Sequence, residues 1–218
     1  MLFILVIFVI ASGVAAYFSL DKNNKPSPQT QSSISSSTIT SIMPTTTPEN
    51  NLKIISQPIS NALSRITKKP FGIYITPKNS PVSPEKFIGF HTGVDFETTA
   101  DEQNADVPIY AICDGPLALK KYATGYGGVA VQKCQINNEG VTVIYGHLRL
   151  SSITVEINQS IKSGQKFAVL GKGYSTETDG ERKHLHLGIH KGKSISLLGY
   201  VQDSAQLSNW IDAQALLK

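Results

Sequence analysis

Four histidines and one aspartate carry the chemistry that this sequence can offer. His91-Thr92-Gly93-Val94-Asp95 sets an imidazole and a carboxylate four residues apart, and His184-Leu185-His186 sets two imidazoles two apart. In an extended strand, residues i, i+2 and i+4 share a face, so each pair can point at one ion. His147 closes the run Tyr145-Gly146-His147-Leu148. Two histidines and one carboxylate leave the fourth tetrahedral position of Zn²⁺ open, which is what catalysis requires. An ion so held lowers the pKa of a bound water from ~15.7 to about 7 and makes it a nucleophile at neutral pH. Each motif alone is a weak signal, and His147 alone reads as a polar strand-end residue. Their coincidence in a chain with five histidines is the stronger observation. The fifth, His190, shares strand parity with His184 and His186 and is a substitute ligand by position. Beside Lys191-Gly192-Lys193 it reads as part of a solvated turn, and it is assigned to the surface.

The elements that must position these residues read as β-rich. Short runs of β-branched and aromatic residues recur at 107–113, 117–119, 129–131, 141–145, 167–170 and 184–189. Asp114-Gly115, Asn138-Glu139-Gly140 and Ser163-Gly164 punctuate them as turns. Helical signals are confined to residues 59–67 and 205–217, the second divided into two pieces if Asp212 caps a last turn. Cys113 and Cys134 fall on neighbouring predicted strands, where either a cross-strand disulfide or two buried thiols fits. The expected fold is mainly β, an antiparallel sheet domain with short peripheral helices.

Composition bounds the rest. The chain has 218 residues, 40% of them apolar and 17% charged, which fits one domain with appendages and excludes both a wholly disordered chain and a polytopic membrane protein. Net charge is +4, with lysines scattered and no run of five basic residues, so no nucleic-acid partner is expected. Residues 1–20 contain no Asp, Glu, Lys or Arg. A helix of that length spans roughly 30 Å, the thickness of a bilayer core. They read either as a retained transmembrane signal anchor or as a signal peptide cut after Val14-Ala15-Ala16, and the length of the apolar run favours the anchor. Residues 21–50 form a linker; from Pro26 to Glu49, seventeen of twenty-four residues are Ser, Thr or Pro. Such a segment buries too little apolar surface to offset its ordering entropy. Residues 51–218 then make the folded domain. The layout places it on the extracytoplasmic side of a cell membrane as a single-pass protein, or secreted if the first segment is cleaved.

One set of motifs occurs here in a known order: Gly89-Phe90-His91-Thr92-Gly93-Val94-Asp95-Phe96, Val107-Pro108-Ile109-Tyr110-Ala111, Gly125-Tyr126-Gly127, Tyr145-Gly146-His147-Leu148, Ile161-Lys162-Ser163-Gly164-Gln165, Leu170-Gly171 and His184-Leu185-His186-Leu187. From about residue 71 to 192 the chain resembles the M23 family of zinc metallopeptidases, the lysostaphin-like peptidoglycan endopeptidases. The resemblance implies that His91, Asp95 and His186 bind zinc. It also implies that His147 and His184 act as catalytic residues, lining the water and the scissile carbonyl. The implied activity is hydrolysis of peptide bonds in cell-wall peptidoglycan, with a regulatory protein partner left open. A non-catalytic peptidoglycan-binding or regulatory module on the same fold is the alternative, and retention of all five residues argues for the enzyme. The loops holding Tyr126 and residues 174–183 are expected to flank a groove. Two departures from the family pattern stand out: a longer, charged loop at 173–183, and Gly188 where the family more often has an acidic residue. Both are expected to bear on substrate preference and not on the metal centre. The stretch 70–77 is expected to add a strand or a lid.

Overall fold

The alternating stretch around His184-Leu185-His186-Leu187 becomes the strand on which the site is built. The structure, a computed structural model, describes residues 55–218, all within the unit Pro48–Lys218. The expected membrane segment 1–20 and linker 21–50 lie outside the described residues. Twelve strands follow in order: β1 (Tyr74–Ile75), β2 (Gly89–His91), β3 (Gly93–Glu97), β4 (Pro108–Tyr110), β5 (Gly115–Ala123), β6 (Gly127–Ile136), β7 (Glu139–Gly146), β8 (Ser160–Ile161), β9 (Lys166–Val169), β10 (His184–Lys191), β11 (Tyr200–Val201) and β12 (Trp210–Ile211). All their pairings are antiparallel. The main sheet runs β12-β10-β7-β6-β5-β8, with β3 also on β10; β1, β2 and β11 make a second sheet, and β4 pairs β9.

Period two sorts the faces of this sheet. On β10, Leu185, Leu187 and Ile189 are fully buried and join Val94, Phe96, Val143 and Tyr145 in the main core. His184 and His186 therefore project from the opposite face. The β6–β7 hairpin closes through Asn137 and Asn138, at φ 52 and 64, between the paired residues Ile136 and Glu139. Two left-handed residues in succession match the twist of the flanking strands, and Asn tolerates that region better than most residues. The turn thus falls one residue before the expected Asn138-Glu139-Gly140.

The expected helices are short 3₁₀ turns, at Ala62–Arg65, Ser204–Asn209 and Gln214–Leu216. Left-handed Asn61 starts the first, and the strand Trp210–Ile211 divides the other two. Asp212 does cap the last piece, its Oδ1 accepting from Gln214 N at 2.9 Å. The stretch 70–77 adds the strand β1. Cys113 and Cys134 are joined in a disulfide with Cα atoms 6.1 Å apart.

Candidate metal centre

His91 and Asp95 come together by a different route from the one their spacing suggests. The chain breaks at Thr92, so His91 ends β2 in the small sheet while Asp95 lies in β3 of the large one. His91 Nε2 nevertheless stands 3.3 Å from Asp95 Oδ1. Asp95 is directly opposite His186 in the β3–β10 ladder, with Oδ1 3.2 Å from His186 Nδ1. His186 Nδ1 is 3.0 Å from His91 Nε2. The three atoms form a nearly equilateral triangle, and all three residues are buried.

The triangle has the dimensions of a metal site. Two ligand atoms each ~2.05 Å from a tetrahedral zinc ion stand roughly 3.3 Å apart. The remaining ring nitrogens fix the tautomers such a centre needs. His91 Nδ1–H donates to the Pro70 carbonyl at 3.2 Å, which leaves the Nε2 lone pair free. His186 Nε2 stands 3.4 Å from the Tyr126 hydroxyl, which can accept from an Nε2–H when Nδ1 serves as ligand. The donor set fits a borderline cation such as Zn²⁺.

Space for the His186 ring is made by glycine on both sides. A Cβ on Gly93 would stand 2.7 Å from His186 Cε1 and Nε2, and one on Gly146 would stand 2.5 Å from Tyr126 Cδ1. Any larger residue at either position pushes the ring or its tyrosine partner out of place.

His147 and His184 lie beside the triangle with ring centroids 4.2 Å apart. His184 Nδ1–H donates to the Arg182 carbonyl at 2.9 Å, and its Nε2 is 3.3 Å from Asp95 Oδ2. His147 follows the end of β7 at φ 62, an uncommon conformation for a residue with a side chain. Its N–H donates to Tyr126 O at 3.2 Å and its carbonyl accepts from Gly171 N at 2.8 Å, so the backbone is held on both sides. The buried Nδ1 of His147 has no hydrogen-bond partner in the protein, an orphaned polar atom beside the triangle.

Charge in the site is set by burial and proximity. Burial would raise the Asp95 carboxyl, but the imidazoles of His184, His91 and His186 beside it hold it well below the usual carboxylate value. Burial holds His147 well below the usual imidazole value, with His184 adding to the effect. Burial likewise lowers His186, to about 4, against the opposing pull of the Asp95 carboxylate beside it. His147 and His186 are therefore neutral at pH 7, the state in which an imidazole can ligate or accept a proton.

The groove over this centre has a volume of about 280 Å³ and is lined by Lys69, Phe87, Tyr126, His147, Arg182 and Tyr200, among others. Both expected loops line it, one through Tyr126 and the other through Glu181 and Arg182. His190 departs from expectation. It is half-buried, with its ring 4.8 Å from Trp210, because β12 pairs His190 with Trp210 and covers the face that sequence left open. The 173–183 loop also departs: Arg182 is buried, and its Nη2 donates to Asp95 Oδ2 at 2.9 Å. Sequence reasoning missed Lys69, Arg182 and Tyr200; the only signal was the unusual charge of that loop.

Fold and site together define a class, antiparallel β proteins with two histidines and one carboxylate clustered beneath a groove so that they could hold a metal ion. Residues 89–197 match the model of Peptidase family M23, half of the chain, and the chain belongs to that family. Solved structures similar to it include the catalytic domain of the antimicrobial peptidase lysostaphin from Staphylococcus simulans, 21% identical, covering 70% of this chain and 92% of that one at a TM-score of 0.47. Csd3 from Helicobacter pylori is 24% identical over 69% of this chain and only 35% of its own, at a TM-score of 0.44. A zinc-containing peptidase from Vibrio cholerae is 22% identical over 75% of this chain and 40% of its own, at 0.45. The chain thus spans well under half the length of the last two. No curated protein matches it.

Proposed function

We propose that this protein is a zinc-dependent endopeptidase that hydrolyses peptide bonds in cell-wall peptidoglycan. The observation that carries the reading is the ligand triangle of His91 Nε2, Asp95 Oδ1 and His186 Nδ1, with sides of 3.0–3.3 Å, facing a groove beside two further histidines. Family membership supports the hydrolytic class and the wall substrate. His91, Asp95 and His186 would hold the ion, which when bound polarises the scissile carbonyl and makes an attacking water acidic.

The chain's own residues supply the rest. His147, neutral at pH 7, and His184 beside it stand where they can orient the water, take its proton and stabilise charge on the carbonyl oxygen. Tyr126 and Arg182 both line the groove in which the substrate peptide would lie. Residues 1–20 would hold the domain at the outer face of a cytoplasmic membrane, with residues 21–50 as tether. Their lack of Asp, Glu, Lys and Arg supports this, and digestion of intact cells by added protease tests it. Protection of the domain from that protease, with its release only after lysis, would reject the placement.

The experiment on the activity measures zinc content and release of new amino groups from purified peptidoglycan, with and without chelator. One zinc per chain and chelator-sensitive release are expected. Zinc-free protein, or cleavage indifferent to chelator, would refute the reading.

A further inference from the structure

Arg182 occupies an unusual place for a loop arginine. It belongs to the long charged loop before His184, yet its side chain is only 10% exposed. Its Nη2 donates to Asp95 Oδ2 at 2.9 Å, and its Nε donates to Glu97 Oε2 at 2.9 Å. Asp95 and Glu97 are two apart on β3 and share a face, so one guanidinium spans both carboxylates. Two further cations reach Glu97: Lys68 Nζ stands 3.5 Å from its carboxylate on a side chain 41% exposed, and Arg65 Nη1 donates to its backbone carbonyl at 3.1 Å. The Arg182 carbonyl, in turn, accepts the Nδ1–H of His184 at 2.9 Å.

We infer that Arg182 is a positioning residue of the metal centre: its guanidinium turns the Asp95 carboxylate so that Oδ1 faces the ion while Oδ2 is held away, and its carbonyl fixes the His184 tautomer. The inference rests on the zinc reading above and extends it to a residue that ligates nothing. The physical case is one of geometry and charge. A carboxylate free to rotate offers either oxygen, or both, and a single-atom ligand needs one oxygen occupied elsewhere. Without Arg182, Asp95 and Glu97 would face each other as like charges on a buried strand face, a state that burial makes costly. The planar fork of arginine reaches both carboxylates at once, which the point charge of lysine does not.

The test measures zinc affinity by competition with a chelator in R182M, R182K, E97Q and the wild type, together with the melting of each zinc-free protein and the split between kcat and KM. In folded R182M, zinc affinity is expected to fall ~10- to 100-fold, the range for loss of a residue supporting a ligand. kcat should fall with KM little changed. R182K should recover part of the loss, and E97Q, which frees one end of the fork, should show a smaller loss in the same direction. Wild-type zinc affinity and kcat in R182M would overturn the inference. If R182M does not fold, R182K and E97Q decide it: weakened affinity in both supports it, and unchanged affinity in both overturns it. A wild-type protein that binds no zinc, or D95A that binds it as tightly, would instead remove the metal-centre reading itself.

Discussion

Asp95 meets four side chains that are charged or can be: His91, His184 and His186 at 3.2–3.3 Å and Arg182 at 2.9 Å. No other carboxylate among the described residues is so surrounded by imidazoles, and the roles divide by which atom faces which partner. Asp95→Ala takes a corner from the ligand triangle, so bound zinc should be lost, as metal analysis after dialysis would show. His147→Ala leaves the triangle intact, so zinc should stay while hydrolysis falls by roughly 10²–10⁴, the usual worth of a general acid or base. Zinc lost from the His147 variant would reverse that division of ligand from catalyst. Gly93 is a sharper probe, because it adds matter without removing any polar group. Gly93→Ala sets a methyl 2.7 Å from the His186 ring and from the Leu187 carbonyl oxygen, and strands do not yield easily at a paired position. The variant should lose roughly 1–3 kcal/mol of stability and bind zinc more weakly. Full zinc affinity there would mean that the ring has room the packing does not display.

Beneath the site, elements are joined by polar groups that the hydrophobic pattern does not reveal. Gln132 on β6 is fully buried, and its Nε2 donates to the carbonyls of Cys113, Gly115 and Ile161 at 2.9–3.3 Å. Its Oε1 accepts from the Tyr145 hydroxyl, which itself accepts from Ile112 N at 2.9 Å. Gln132→Leu orphans several buried groups together, and a loss of roughly 2–3 kcal/mol in urea unfolding is expected. A second tie lies at the edge, where Arg65 pairs with Glu102 at 2.6 Å and fixes the 3₁₀ turn Ala62–Arg65. The hydrogen bond from Arg65 lowers the Glu102 carboxyl from 4.5 to about 2. The folded value lies below the unfolded one, so the contribution is whole above pH 4.5 and drains away as pH falls toward 2. Solvent screening limits it to roughly 1 kcal/mol. The stability gap between wild type and Glu102→Gln should therefore close between those pH values. Alternation displayed β6, β7 and β10 in the sequence because each is long enough to carry a period. The two-residue strands β1, β8, β11 and β12 carry none and exist only through their partners. Likewise His91, Asp95, His147, His184 and His186 were legible from type and spacing. Arg182 stood in the sequence only as part of a charged loop, since nothing local discloses that Asp95 and Glu97 await it.

Across the molecule, stability and chemistry sit at opposite ends of one ladder. Val129 pairs with Gly146, and Gly146 with His186, at the end of the β6–β7 ladder that carries the site. Cys134 pairs with Val141 near the hairpin turn at the other end, and its disulfide to Cys113 encloses a sequence separation of 21 residues. Closing a loop of that length removes chain entropy from the unfolded state worth about 3 kcal/mol. Four ladder positions, Ala130↔Tyr145 to Lys133↔Thr142, lie between that bond and the site, and their backbone hydrogen bonds do not depend on it. Replacing both cysteines by serine should therefore lower Tm by roughly 6–12 °C for a domain of this size. Zinc affinity and kcat should stay at wild-type values below the new melting range. Because the proposed location is extracytoplasmic, reduced and oxidised wild-type protein should differ in the same way. If the double variant instead lost zinc at a temperature where its circular dichroism is unchanged, the two ends of the ladder would be coupled. The disulfide would then have to be counted among the groups that shape the metal centre.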